Sequence, residues 1–288
     1  MEPEFDLPER LGVLFAGTDP VLFAIGGGIV AAAFLDFMIT AVGPTGLGPI
    51  SALFRSLLFR PIARVMRLLE RLVGWSPAAA TGPLILSAVA TVWVTLHVIG
   101  YTLMFAAGPS LVGTDSTVPA SMADALAWSG SSLSTVGSSP QAPTTAGWDA
   151  LSMIAAMNGM IVLTLSVSFV LNTLATVRAG QRLALRINAR LAATSPPDFS
   201  GLGAEVAGLV VAIRSNPLAA TFLARDARID VTRAIGRLAH SLRSDPDRLP
   251  DPDGTEIGMA LSLLVDHMPG INAVGPEPAR RWALRRSL

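Results

Sequence analysis

The residue types that usually perform catalytic or metal chemistry are scarce in this sequence of 288 residues and do not cluster. It contains no cysteine, which excludes a disulfide, a thiolate nucleophile, an iron–sulfur cluster and a cysteine zinc site. The 3 histidines are scattered, and no nucleophile, base and orienting group fall together. We therefore predict no enzyme, no bound metal and no cofactor. What remains is a stretch of small polar residues between Ser121 and Thr145, and one carboxylate, Asp36, in an apolar run.

Composition and charge exclude further classes. Hydrophobic residues make up 51% of the chain and charged residues 15%, whereas soluble domains carry about 25% charged residues. The 21 basic residues, all arginine, balance 21 acidic ones, so net charge gives no attraction toward nucleic acid. A disordered chain is excluded and an ordinary soluble domain is disfavoured.

Three apolar runs are long enough to cross a bilayer, which takes about 20 residues. They lie at residues 20–43, 83–107 and 151–177, and Asp36 is their one charged residue. The first run is too long for a signal peptide and follows an acidic N-terminus. We predict an all-α membrane protein with three transmembrane helices, the third over residues 148–176.

The placement of arginine predicts orientation, because short cytoplasmic segments collect basic residues. Arginines occur between the first two runs and again directly after the third, whereas residues 108–150 contain none and residues 1–19 contain only Arg10. These segments agree on an extracellular N-terminus (residues 1–19) and a cytoplasmic C-terminal region (residues 177–288). We expect a multi-pass protein of the plasma, or inner, membrane.

The stretch between the second and third runs predicts a short helix. Ser121 and Asp124 have the spacing of a capping box, and apolar residues follow at helical spacing as far as Leu133. A helix of about 12 residues cannot span a bilayer. Followed by extended backbone, it has the re-entrant pattern that membranes tolerate where it lines a water-filled path.

Residues 83–176 resemble the pore module of the potassium-channel superfamily, with an outer helix (83–107), a pore helix and filter (121–140) and an inner helix. The resemblance rests on Ala125-Leu126, Trp128-Ser129, the filter-like Ser134-Thr135-Val136-Gly137, and Pro143. It implies that backbone carbonyls replace the hydration shell of a cation, K⁺ or Na⁺, and that four chains form a homotetramer.

By the same resemblance, the ion-binding filter comprises Thr135, Val136, Gly137, Ser138 and Ser139. The last two replace the tyrosine and second glycine of the family, and Pro140 follows where an acidic residue is usual. A residue with a Cβ adopts the positive φ of that glycine at a cost of about 1 kcal/mol or more. We expect a different outer filter and weakened potassium selectivity.

The family register also implies which side of the inner helix faces the pore. Gly159 takes the place of a hinge glycine, although membrane glycines more often mark close packing. The mostly apolar lining favours a dewetting gate near Val167 and Leu171. The expected pore-lining residues are Met160, Leu163, Val167, Leu171 and Ala175.

Asp36 lies about 10 Å from the cytoplasmic end of the first run and His97 about 21 Å from that of the second, so they should not meet. We expect a cytoplasmic arginine or Thr91 as the partner of Asp36, in a structural role rather than as a sensor.

On the first helix, a small-residue stripe of Ala24, Gly28 and Ala32 predicts close packing on the outer helix.

Residues 50–75 predict a basic amphipathic helix that lies on anionic lipid of the inner leaflet; packing on the cytoplasmic domain is the alternative. Within this range, Pro61 is a residue type favoured at a helix start. The lipid-facing basic residues are Arg60, Arg64, Arg67 and Arg71.

The C-terminal region predicts helices only. Residues 199–243 are typical of two helices interrupted near Pro217, and residues 245–254 of a linker. No glycine-rich dinucleotide turn occurs, and no cytoplasmic partner can be named.

Two functions follow from these patterns. The first is a tetrameric channel for monovalent cations. The alternative is a non-conducting membrane sensor or scaffold that keeps the pore fold.

Overall fold

The structure, a computed structural model, describes residues 17–43, 46–73, 81–114, 120–137, 139–193, 199–222, 226–244, 256–260 and 263. These residues are mostly helical. Three helices are long and apolar enough to cross a membrane: α1 (Pro20–Ala41), α3 (Thr81–Ala106) and α5 (Ala146–Ala193). The prediction of a mostly helical protein with three apolar candidate spans is thus confirmed, whereas the strict all-α class is not, because a short pair of strands is present. The predicted 245–254 linker, most of the 1–19 N-terminus, and Ser138 lie outside the described residues.

The remaining elements are too short or too polar to be candidate membrane spans. Helix α2 is Pro49–Val73, strand β1 is Leu111–Gly113, helix α4 is Met122–Leu133 and strand β2 is Gln141–Pro143. After α5 come α6 (Leu202–Ser215), a 3₁₀ turn (Pro217–Thr221) and α7 (Val231–Ser244). Strands β1 and β2 pair antiparallel, with Val112 opposite Ala142. No sequence pattern predicted this pair of strands.

The chain divides into two compact units, and the first comprises residues up to 41 together with residues 90–168. Its core contains several aromatic side chains around Trp148, which is 1% exposed. The ring of Phe23 in α1 contacts Trp148 edge-on with centroids 6.1 Å apart, and that of Phe105 in α3 contacts it at a tilt with centroids 6.2 Å apart. Helix α1 is capped by Asp19, whose carboxylate accepts from the amides of Val21 and Leu22.

Helices α1 and α3 meet at a pair of glycines. A Cβ on Gly26 would lie 2.5 Å from the carbonyl oxygen of Gly100, and a Cβ on Gly100 would lie 2.8 Å from that of Gly26. The predicted packing of α1 on the outer helix is present, but the predicted stripe is wrong, because Ala24, Gly28 and Ala32 are exposed. Spacing alone predicts the stripe, and spacing does not distinguish one small-residue face of a helix from another.

The second unit comprises residues 42–89 and the chain from residue 169 onward. Its core packs the end of α5 against α6 and α7, around buried Ile187, Leu202 and Leu238. The aromatic ring of Phe222 covers Gly82 at the start of α3, where a Cβ would lie 2.4 Å from the ring. The amide of Gly46 donates to the carbonyl of Arg214 at 3.1 Å.

The amphipathic helix predicted over residues 50–75 is present as α2, Pro49–Val73, but Pro61 lies inside it rather than at its start. Both prolines precede an amphipathic stretch, and a proline at either position fits a first turn. The two helices predicted over residues 199–243 are present, with the interruption at the 3₁₀ turn that begins at Pro217. Helix α5 continues well beyond residue 176, to Ala193.

The glycine contact gives a first prediction. Gly26→Val should destabilise the protein by about 1–3 kcal/mol, because the backbone of Gly100 cannot yield to the added atoms. The melting temperature of the purified protein in detergent checks it. Gly28→Val is the matched control, since among the described residues nothing lies within 4 Å of a Cβ at Gly28. An equal loss in both variants would contradict the packing described here.

Candidate functional site

The candidate filter segment lies in the first unit and follows helix α4. Both bonds of the predicted capping box form: the amide of Asp124 donates to Ser121 Oγ at 3.3 Å, and the amide of Ser121 donates to Asp124 Oδ2 at 2.8 Å. The predicted helix of about 12 residues is thus present and ends at Leu133, as expected.

The C-terminal end of α4 rests directly on helix α5. A Cβ on Gly159 would lie 2.0 Å from the carbonyl oxygen of Leu133 and 2.7 Å from its carbonyl carbon, so only glycine permits this approach. Gly159 is therefore a close-packing residue, the role that glycine most often has in membrane helices. Whether it also acts as a hinge stays a prediction.

Two side-chain contacts reinforce the packing on α5. Trp128 Nε1 donates to Ser152 Oγ at 2.9 Å, and Ser152 Oγ donates in turn to the carbonyl of Trp148 at 2.9 Å. Helix α3 is joined to α5 by Asn158, whose Nδ2 donates to the hydroxyl of Tyr101 at 3.2 Å. The bond from Trp128 thereby fixes α4 near its middle as well as at its end.

The Thr-Val-Gly segment, residues 135–137, follows α4 as a turn rather than as extended backbone. The amides of Thr135 and Val136 donate back to the carbonyls of Ser132 and Ser131, each at 3.1 Å. The expectation of extended backbone directly after the helix is therefore wrong at these residues. Hydrogen bonds to the last carbonyls of α4 favour the turn, because those carbonyls have no partner within the helix.

Left-handed backbone occurs twice in this segment. Gly137 has φ 67°, which glycine adopts freely, but Thr135 has φ 56°, and it is the one described non-glycine residue with positive φ. A β-branched residue in this conformation carries a strain of about 1–2 kcal/mol. Backbone strain of this kind clusters at functional sites, where the surroundings hold it in place.

A polar network that the sequence did not reveal holds the chain after the Thr-Val-Gly segment. Gln141 Nε2 donates to Asp124 Oδ1 at 2.8 Å, and the hydroxyl of Ser139 donates to Gln141 Oε1. Asp124 therefore both caps α4 and binds the returning chain. Its capping role could be predicted from spacing; its bond to Gln141 joins residues 17 positions apart and left no sequence signal.

The residues expected to line a pore all lie on α5 with exposed side chains. Val136 of the Thr-Val-Gly segment is exposed as well, at 68%. The exposed residues of α5 are Met160, Leu163, Val167, Leu171 and Ala175. Each is accessible to lipid or to another chain.

Asp36 is buried in the first unit at 1% exposure. Its carboxylate accepts from Trp93 Nε1 at 2.9 Å, and Phe37 packs edge-on against the same indole. Trp93 is a partner that sequence analysis did not name, because tryptophan in an apolar run looks like a packing residue. His97 Nδ1 lies 2.7 Å from the Trp93 carbonyl, so the indole residue separates the aspartate from the histidine.

Among the described residues, no group of three or more histidine, cysteine, aspartate or glutamate side chains could hold a metal ion. Of the basic residues expected to face lipid, Arg64 is exposed on α2. The side chains of Arg60, Arg67 and Arg71 lie outside the described part of the structure.

Comparison with known proteins gives one informative similarity. The uncharacterized membrane protein YdjJ of Bacillus subtilis (strain 168) is 26% identical over 151 residues, which is 52% of this chain and 43% of that protein. The match spans less than half of the relative. No protein-family model and no solved structure matches the chain. Together with the three apolar helices, this similarity indicates a membrane protein. It assigns no activity to the chain.

The Asp124 network predicts a dependence on pH. Hydrogen bonds from the backbone and hydroxyl of Ser121 hold the pKa of Asp124 below its ordinary value of 3.8. The stabilisation is therefore complete above pH 3.8 and is lost as pH falls through the lower pKa of the folded state.

Melting temperatures of the wild type and of Asp124→Asn, measured between pH 7 and pH 3, check this. The wild type should be the more stable at pH 7, and the difference should shrink at the acid end. A difference that stays constant over the whole range would show that the charge on Asp124 does not matter.

Proposed function

We propose that this protein is a tetrameric channel for monovalent cations in the plasma membrane, with the N-terminus outside and the C-terminal bundle in the cytoplasm. The observation that carries the proposal is the strained Thr-Val-Gly segment at the end of a capped helix too short to span a bilayer. That helix rests on the long apolar helix α5 through the contact of Leu133 with Gly159.

The arrangement suits cation binding for an electrostatic reason. The C-terminal end of a helix carries a partial negative charge from carbonyls that lack intrahelical partners. A short helix that ends inside the membrane would direct this charge toward a cation that has lost part of its water. In the proposed pore, the carbonyls of Thr135, Val136 and Gly137 and the hydroxyl of Thr135 replace that water, and Ser138 and Ser139 form the outer end.

Oligomerisation accounts for the exposed apolar face of α5. Four copies around an axis would bring the face containing Met160, Val167 and Leu171 together, and its apolar surface supports a gate that closes by dewetting. Anionic lipid of the inner leaflet would bind the arginine face of α2, of which Arg64 is described and exposed.

A non-conducting sensor or scaffold is the second candidate. It is favoured by the serines at positions 138 and 139, because the outer filter then lacks the second glycine and the aromatic brace of the resembled family. In that case the C-terminal bundle, packed on the end of α5, would be the output.

Ion flux from purified protein in liposomes separates the two candidates. The wild type should pass potassium and sodium with little discrimination and should exclude a large organic cation. Gly137→Asp should abolish flux, because glycine permits φ 67° without strain and the new carboxylate would bind the permeating cation too tightly.

Gly208→Asp is the matched control, since it adds the same charge on the exposed side of α6, where a Cβ meets nothing within 4 Å among the described residues. Flux should persist in this control. A folded tetramer that passes none of the cations would reject the channel and favour the sensor.

Selectivity tests the outer filter separately. Ser138→Tyr combined with Ser139→Gly should raise the potassium-to-sodium permeability ratio severalfold, because it restores the two residue types of the resembled family. Ser139→Gly alone is the control, since it removes the hydroxyl that binds Gln141 without adding an aromatic ring. An unchanged ratio in the double variant would place the selectivity elsewhere.

A further inference from the structure

A single face of α5 in the second unit stays exposed from the apolar part of the helix to its basic end. Its residues recur at alternating steps of four and three, the spacing of a seam between helices. They are Leu171, Ala175, Arg178, Arg182, Leu185 and Ala189. The opposite side of the same helix is buried against α6 and α7 through Leu183, Ala184 and Ile187.

The arginines along this part of α5 differ in their partners. Arg186 forms an ion pair with Glu205, and Arg190 Nη1 donates to the carbonyl of Ser200 at 2.6 Å. Arg182 Nε donates to the carbonyl of Arg178 at 3.4 Å. Among the described residues, no carboxylate compensates the charge of Arg178 or Arg182, and both side chains are exposed.

We propose that Arg178 and Arg182 form a binding site for a soluble, phosphate-bearing multivalent anion at the cytoplasmic end of the pore. This inference rests on the proposed tetramer. Arg178 and Arg182 share the helix face of Leu171 and Ala175, which line the proposed pore, so four chains would place two layers of guanidinium groups around the axis. The layers are about 6 Å apart, since one residue advances an α-helix by about 1.5 Å.

The chemistry of the side chain selects the ligand. A guanidinium group presents donors in a planar fork that matches two oxygens of a phosphate, and it stays charged at every physiological pH. Several phosphates on one molecule can satisfy both layers at once. A soluble anion fits better than a lipid headgroup, because a site on the axis is surrounded by protein and leaves no room for acyl chains.

The site has a consequence for conduction. An uncompensated ring of positive charge at the mouth of a pore opposes the entry of cations. A multivalent anion bound on the axis cancels this charge but occupies the path of the cations itself, so the anion blocks conduction. The ring therefore acts as a ligand-controlled barrier in series with the apolar gate.

Binding of tripolyphosphate to the full-length protein in detergent, measured by titration calorimetry without divalent cations, tests the site independently of flux. We expect one anion per four chains. Arg178→Gln with Arg182→Gln should weaken binding by about tenfold or more, given the strength of charged hydrogen bonds. The control is Arg214→Gln with Arg233→Gln, which removes the same charge from exposed positions off this face and should bind as the wild type does.

The oligomeric state, measured on the same sample, distinguishes the possible failures. A monomer would reject the proposed channel and this site with it. A tetramer that binds no tripolyphosphate, binds one anion per chain, or loses affinity equally in both double variants would reject the site alone.

Binding to vesicles that contain anionic phospholipid distinguishes a soluble phosphate ligand from a lipid headgroup. Loss of vesicle binding in the Arg178 and Arg182 double variant, with tripolyphosphate binding unchanged, would overturn the soluble ligand in favour of a lipid headgroup. Vesicle binding that is equal in the wild type and this variant, together with weakened tripolyphosphate binding, supports the axial site.

Discussion

The backbone contact between Leu133 and Gly159 is the constraint on which the first unit depends. Because residue 159 has no side chain, the last carbonyl of α4 lies against α5 where any Cβ would overlap it. The other end of α4 is held by the capping box, and its middle by the bond from Trp128 to Ser152. With the helix fixed in this way, the strain at Thr135 is borne by its surroundings rather than relieved by a shift of the chain.

Features encoded over a few residues could be predicted from the sequence. The three apolar helices, the short helix after Ser121 and its capping box depend on local composition and on spacings of three or four residues. Features that join distant residues could not, including the bond from Trp93 to Asp36 and the bond from Gln141 to Asp124. Gly26 and Gly28 illustrate the same limit, since they are equivalent as residues and only the position of α3 distinguishes them.

The polar residues of α5 bear on whether its exposed face meets lipid or protein. The hydroxyl of exposed Ser168 donates to the carbonyl of Thr164 at 3.3 Å and is satisfied within the helix, so it fits either environment. Asn172 differs because it is exposed and its side-chain amide carries two donor hydrogens and an acceptor oxygen, more than its own helix satisfies. An unsatisfied amide in hydrocarbon costs several kcal/mol in transfer scales, so this position favours packing against another chain.

In the proposed channel, the network around Asp124 would take the place of the aromatic brace of the resembled family. In place of packed rings, the chain after the Thr-Val-Gly segment is held by hydrogen bonds through Ser139 and Gln141 to a carboxylate at the start of α4. Such bonds are directional but exchange readily with water, so they would hold the outer end less rigidly than aromatic packing. In the proposed tetramer, the same carboxylates would surround the outer mouth and raise the local concentration of cations. The network around Asp124 would then account both for weak discrimination between potassium and sodium and for efficient capture of cations.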